Sequence, residues 1–182
     1  MASSGPNYPG TVVSTGAGTD WTSPTNVGAD DGSYATLDVP LSGGDSLDAT
    51  GLGFSIPAGT IDGITVEVER KITNAQQGIK DVTAQLIVGG SATGDNKADT
   101  VNAWTTSDVT KTYGGASDLW GLTPSVAEVN GSDFGFRFAA KNAGAKDGSD
   151  VANVDFIRIT INYTAGGGAT TRRYSLTTLG VG

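Results

Sequence analysis

The chain contains neither cysteine nor histidine. Without thiols there is no disulfide, no thiolate metal site and no cysteine nucleophile. Without imidazole, the usual general base and the commonest transition-metal ligand are both missing. Aromatic residues make up 7% and charged residues 16% of the 182 positions, so both a large aromatic core and a densely charged surface are ruled out. Apolar runs stay at a few residues, which excludes a membrane-spanning helix, and the opening MASSGPNYPG has neither the basic start nor the apolar stretch of a secretory signal. Synthesis in a cytoplasm is the expectation. Basic residues are scarce too, 11 against 19 acidic, giving a net charge of −8 and no expected affinity for nucleic acid or an anionic membrane. Stability must then come from packing or from association with other chains.

What the chain does have is glycine, 28 residues of it, and period-two alternation. The clearest case is Ile56 to Ile72, IPAGTIDGITVEVERKI, where a Pro57–Gly59 turn feeds Ile64, Val66 and Val68 alternating with Thr65, Glu67 and Glu69. That pattern puts one face of a strand on a core and the other in water. Tyr34–Val39 alternates through Ala35, Leu37 and Val39, and Ile79–Val88 through Val82, Ala84, Leu86 and Val88, which makes it the natural hairpin partner of the central strand. Further strands are expected over Ser46–Phe54, Thr110–Tyr113, Phe134–Ala140 and Val151–Tyr163, with a possible one at Thr11–Ser14. The expected core is Leu37, Ile64, Val66, Val68, Leu86, Phe134, Phe136, Phe138, Ile157, Ile159 and Ile161. One short helix fits Pro124–Val129, with Thr123 as its cap. Residues 91–109 show neither period and read as a long surface loop anchored by Trp104.

Many short strands with glycine turns and at most one short helix predict an all-β fold, an antiparallel β-sandwich of the jelly-roll type. Residues 1–20 read as a flexible N-terminal arm, 21–164 as the sandwich, and 165–182 as a glycine-rich hinge with a C-terminal tail. Such ends are expected to become ordered on a partner.

Candidate chemistry is sparse. Glu67 and Glu69 share a strand face and could suit a glycosidase, but alternating charges on a wet face, paired with Lys80, Arg137 or Arg158, explain them more simply. The aspartate-rich stretches at Asp30–Asp31, Asp95–Asp99 and Asp147–Asp150 could offer oxygens to Ca²⁺, yet none has EF-hand spacing and solvated turns account for them. No metal and no cofactor is expected. Trp21, Trp104 and Trp120 fall in loop-like stretches, either as platforms for sugar rings or as caps on the ends of a sandwich. The tail is locally basic at Arg172 and Arg173. Removing those two from the 11 basic residues leaves 9 against 19 acids, so residues 1–164 carry −10 and the tail +2. Arg172 and Arg173, with Tyr174, Leu176 and Leu179 as apolar anchors, are the candidate partner contacts in the tail, beside Trp104 and Trp120 in the domain.

Several phrases in order resemble a bacteriophage virion structural protein family. They are Trp21–Val27 with Asp31-Gly32-Ser33-Tyr34-Ala35, then Gly53-Phe54-Ser55-Ile56-Pro57-Ala58-Gly59 and Ile61-Asp62-Gly63-Ile64. Gly94-Asp95-Asn96-Lys97, Tyr113-Gly114-Gly115 with Asp118-Leu119-Trp120-Gly121, Asp133-Phe134-Gly135 and the Val154–Tyr163 strand complete the set. The resemblance implies a particle component without enzymatic activity. A compact acidic β domain with a segment at each end suits a capsid decoration, or cement, protein on the outer head surface. Its partners would be the major capsid protein and copies of itself, as a homotrimer by analogy with decoration proteins. The alternative is a tail-fibre or baseplate module that recognises a host-surface glycan.

Overall fold

The computed structural model describes residues 1–41, 43–74, 78–144 and 150–166. The expected hairpin partners prove to lie in different layers. β5 (Gly59–Ile72) belongs to one sheet and β6 (Ile79–Val88) to the other, so their link turns a corner of a sandwich. Alternation fixes an inward face but not the layer, and two facing sheets satisfy two amphipathic strands as well as lateral pairing does.

One sheet places β5 between β8 (Val109–Gly114) and β10 (Val151–Ala165), with β1 (Ala2–Asn7) and β3 (Ala35–Asp38) pairing along different stretches of the far edge of β10. The other runs β2 (Thr11–Thr15), β4 (Ser46–Thr50), β9 (Gly135–Asn142), β6, β7 (Ser91–Thr93). Setting β1 and β2 aside, the orders 3-10-5-8 and 4-9-6-7 are those of two interlocked Greek keys. The fold is a jelly roll, as expected from the sequence.

The two extra strands overturn the expected N-terminal arm. Ala2 pairs with Tyr163 in one sheet, and Thr11 pairs with Thr50 in the other, so residues 1–15 straddle both layers. Ser, Thr and Gly lack hydrophobic weight, but backbone hydrogen bonding to a completed strand does not require it, and Val12 adds a buried contact. The hinge and tail fall differently. Ala165 still pairs with Gly59, while residues 167–182 lie outside the described residues.

All eleven expected core side chains are buried. Phe136 sits at the centre, with ring centroids of Tyr113 at 5.9 Å, Trp120 at 5.9 Å and Phe138 at 6.2 Å. The helix begins later than predicted. α1 is Val126–Val129, capped by Ser125, whose hydroxyl accepts from the Glu128 amide while the Glu128 carboxylate accepts from the Ser125 amide. The Ser-x-x-Glu spacing outcompetes Thr123 because it satisfies two otherwise orphaned amides at once.

Val82 was expected to face inward and does not, because a bulge between Asp81 and Thr83 resets the alternation of β6. Asp81 takes the inward position and is fully buried. The long loop covers the outer edge of this strand. Asn96 accepts from the Ala84 amide at 2.9 Å and donates to the Val82 carbonyl at 2.8 Å, standing in for a neighbouring strand.

Candidate functional site

The wet face of β5 carries the two glutamates, and the register across β10 sets their roles apart. Glu67 lies opposite Arg158, whose Nε donates to it at 2.9 Å. The Arg158 guanidinium also sits 4.5 Å from the centroid of the Phe156 ring and 3.8 Å from Asp30. The Glu67 hydrogen bond is the main cause holding the Arg158 pKa above its ordinary value. Arg137 is engaged elsewhere, its Nε donating to Asp48 at 2.6 Å. Glu67 is therefore a cross-strand ion pair.

Glu69 faces Asp30 and Asp155, with one oxygen of each within 4.8 Å of the others. Asp155 is 2% exposed and accepts the Gly32 amide at 3.1 Å, which fastens the Asp30–Gly32 turn onto the sheet. Burial, followed by repulsion from Asp108, Asp155 and Asp30, raises the Glu69 pKa against the lowering effect of its Thr110 hydrogen bond. Burial likewise raises Asp155, opposed by the Gly32 and Asp31 amides. Three such carboxylates can share a proton or hold a hard cation. Of the three, Asp155 is enclosed beneath the turn, Glu69 is half-buried and Asp30 is exposed.

This arrangement has a measurable consequence. A carboxylate whose folded pKa is raised contributes nothing below its unfolded pKa, where both states are protonated. It destabilises progressively as pH rises from the ordinary 4.5 through the folded value, and fully at neutral pH. Glu69→Gln keeps an acceptor for Thr110 and removes the charge. Stability at pH 7 should therefore rise, by up to about 1 kcal/mol, with the gain vanishing at pH 4. Urea titrations at the two pH values test this, and a loss at pH 7 would contradict it.

The aspartate-rich loops serve local ends. Asp31 accepts the Ser33 amide at 2.9 Å, Asp95 lies 3.7 Å from Lys97, and Asp99 holds Lys111 at 2.7 Å. Asp150 is fully buried, and Asp147 lies outside the described residues. Among the described residues, only Asp30 of these stretches joins a three-carboxylate cluster.

The tryptophans are core residues, which removes Trp104 and Trp120 from the candidate partner contacts. Trp21 and Trp104 are each 3% exposed and Trp120 is fully buried. Each indole N–H is satisfied inside: Trp21 to the Asp45 carbonyl, Trp104 to Asp81 and Trp120 to the Ile64 carbonyl. Trp120 occupies a left-handed conformation with φ of 60°, and Gly114 beside it has φ of 69° and no room for a Cβ against the indole. Of the two readings of the loop-borne tryptophans, platform or cap, the burial agrees with the cap: the loops fold their indoles back into the sandwich. The tail candidates Arg172, Arg173, Tyr174, Leu176 and Leu179 lie outside the described residues.

The most concentrated polar chemistry is internal. Asp81 receives the Trp104 indole at 2.7 Å, the Tyr113 hydroxyl at 2.7 Å and the Asp99 amide at 2.9 Å, with Arg70 Nε at 3.5 Å. Arg70 lies 4.8 Å from the centroid of the Trp104 ring, whose other face stacks on Phe138. The position of Arg70 was readable, since it continues the inward series Ile64, Val66, Val68 and precedes Ile72, all of them buried.

No protein-family model and no curated protein matches the chain. Among solved structures it is similar to the second N-terminal cellulose-binding domain of β-1,4-glucanase C from Cellulomonas fimi, at 17% identity and a TM-score of 0.44 over 87% of this chain and 94% of that one. A two-domain fragment described as domains CD matches at 14% identity and a TM-score of 0.46, the alignment covering 84% of this chain and 64% of that one. A family 7 alginate lyase matches at 15% identity and a TM-score of 0.27, over 81% and 79% of the respective chains. At these identities the likeness is one of sandwich architecture.

At one end of the sandwich two depressions share Thr123 and Pro124 as a wall. One, of about 340 Å³, adds Val88, Leu122 and Glu128; the other, of about 260 Å³, adds Gly59, Ile61, Leu119 and Val126.

Proposed function

We propose that the protein is a non-enzymatic virion component that binds an extended protein surface, as a capsid decoration protein on the outside of a phage head. The observation that carries this reading is where the aromatic side chains lie. Every described Trp and Phe is buried, and Tyr8, Tyr34 and Tyr163 are half-buried, with the Tyr34 ring covered by the Lys71 ammonium at 4.1 Å. A sugar-binding surface needs an open ring face. The outer faces instead present Thr11, Thr15, Asp48, Arg137, Thr65, Glu67, Thr112 and Arg158, a polar, hydroxyl-rich surface suited to broad, wet contact with a lattice. The resemblance of the ordered phrases to a phage virion protein family and the acidic balance of the body support the same reading.

The partner is then the major capsid protein, with further copies of this chain beside it as a trimer. Incubating purified protein with undecorated heads should give saturable co-sedimentation, and electron microscopy should place density on the head at a copy number set by the lattice. Density confined to tail or fibres would overturn the assignment and favour recognition of a host glycan.

A further inference from the structure

The described chain ends beside an open seat. Ala165 pairs with Gly59, and the Gly166 amide donates to the Ala58 carbonyl at 2.8 Å, so the C-terminal segment starts next to the depression that Gly59 lines. On that side β8 pairs only with Thr65–Arg70, so among the described residues no strand covers Gly59–Asp62 opposite β10. Ile61, Leu119, Pro124 and Val126 make its walls apolar, and across the shared Thr123–Pro124 wall the adjoining depression carries Leu122 and the exposed Glu128. Hydrogen bonds from the Ser125 amide and hydroxyl lower the Glu128 pKa, which keeps it ionised.

Residues 167–182 carry two arginines and no acid, against a body of net −10, and their apolar side chains Tyr174, Leu176 and Leu179 follow at once. A chain of this length extends to about 55 Å, and crossing from one side of β5 to the other takes about 10 Å, two strand spacings. Residues 166–168 are all glycine, which leaves the backbone free of side-chain restriction there.

We propose that this end depression is the seat of the chain's own C-terminal segment, with Tyr174 and Leu176 against its apolar walls and Arg172–Arg173 toward Glu128 and Asp62. The seating belongs to the isolated protein and stands independently of the lattice reading. Local attachment makes it favourable, since a short tether holds the segment at an effective concentration on the order of millimolar.

The absence of cysteine makes the test clean. In the full chain, Thr123→Cys, at an exposed wall position, is combined with Ser175→Cys, and disulfide formation under mild oxidation is followed by non-reducing mass spectrometry. An intramolecular bond should form at least about tenfold faster than in the same protein carrying R172E, R173E, Y174A and L176A, because a seated segment dwells at the wall and a merely tethered one does not. Repeating the pair from exposed Thr60→Cys should give the same order. Equal rates with and without the four substitutions would overturn the seating. Bonds formed only between two chains would overturn attachment in cis and show the seat to be filled by a second copy.

Discussion

Asp81→Ala should be among the most damaging single changes in the chain, costing about 3–5 kcal/mol out of a total that for domains of this size is about 5–15 kcal/mol. The side chain is fully buried, and its removal leaves the Arg70 guanidinium, itself 6% exposed, without its counter-charge. It also strands the Trp104 N–H and the Tyr113 hydroxyl, two donors enclosed in the core. Tyr113 does not compensate by ionising, because burial, the largest cause pushing its pKa up, persists when Asp81 is removed. Urea unfolding of the variant measures the loss, and a value under about 1 kcal/mol would show that the network is not electrostatically coupled. Arg70→Met introduced together with Asp81→Leu should recover part of the loss, since that pair removes the unpaired charge and leaves only the stranded donors.

The second large effect is expected at the aromatic centre. Phe136→Ala removes a fully buried ring that contacts Tyr113, Trp120 and Phe138, and should cost about 3–5 kcal/mol. The neighbours cannot close the cavity readily. Trp120 is tied to the Ile64 carbonyl and Tyr113 to Asp81, so both are held in place by hydrogen bonds that point away from the void. A calorimetric or urea measurement giving less than about 1 kcal/mol would mean that the core relaxes around the missing ring.

Inward faces were legible in the sequence because period two is a local property. Ile64, Val66, Val68 and the Phe134–Phe138 series needed no knowledge of neighbours. Layer membership was not legible, since the same alternation serves β5 and β6 whether they pair or face each other. Thr11–Ser14 is legible as a possible strand and lies in β2, but β1 escaped for a related reason: its partner, β10, was already complete, and a strand of Ser, Gly and Pro added to a finished edge needs little apolar patterning. Charge at an inward position was the most informative signal available. Arg70 stands in the period-two series of Ile64, Val66 and Val68, whereas Asp81 was hidden, because alternation through Val82, Ala84, Leu86 and Val88 turns it outward and only the bulge brings it in. The tryptophans stayed open between platform and cap because loop context says where the backbone runs and nothing about where the indole turns.

The position of β10 bears on how such a chain comes into being. This strand is the last described element to be made, yet it lies at the centre of its sheet, shared by β1, β3 and β5. On a ribosome, the first six strand residues, Ala2–Asn7, must therefore wait for a partner that begins at Val151. Contacts so distant in sequence close slowly, and exposed strand edges meanwhile invite wrong pairings. A product truncated before Val151 has one sheet without its middle, and so cannot persist as a folded competitor of the complete protein. Strand order thus makes folding of this sandwich conditional on synthesis through β10, the keystone of its sheet.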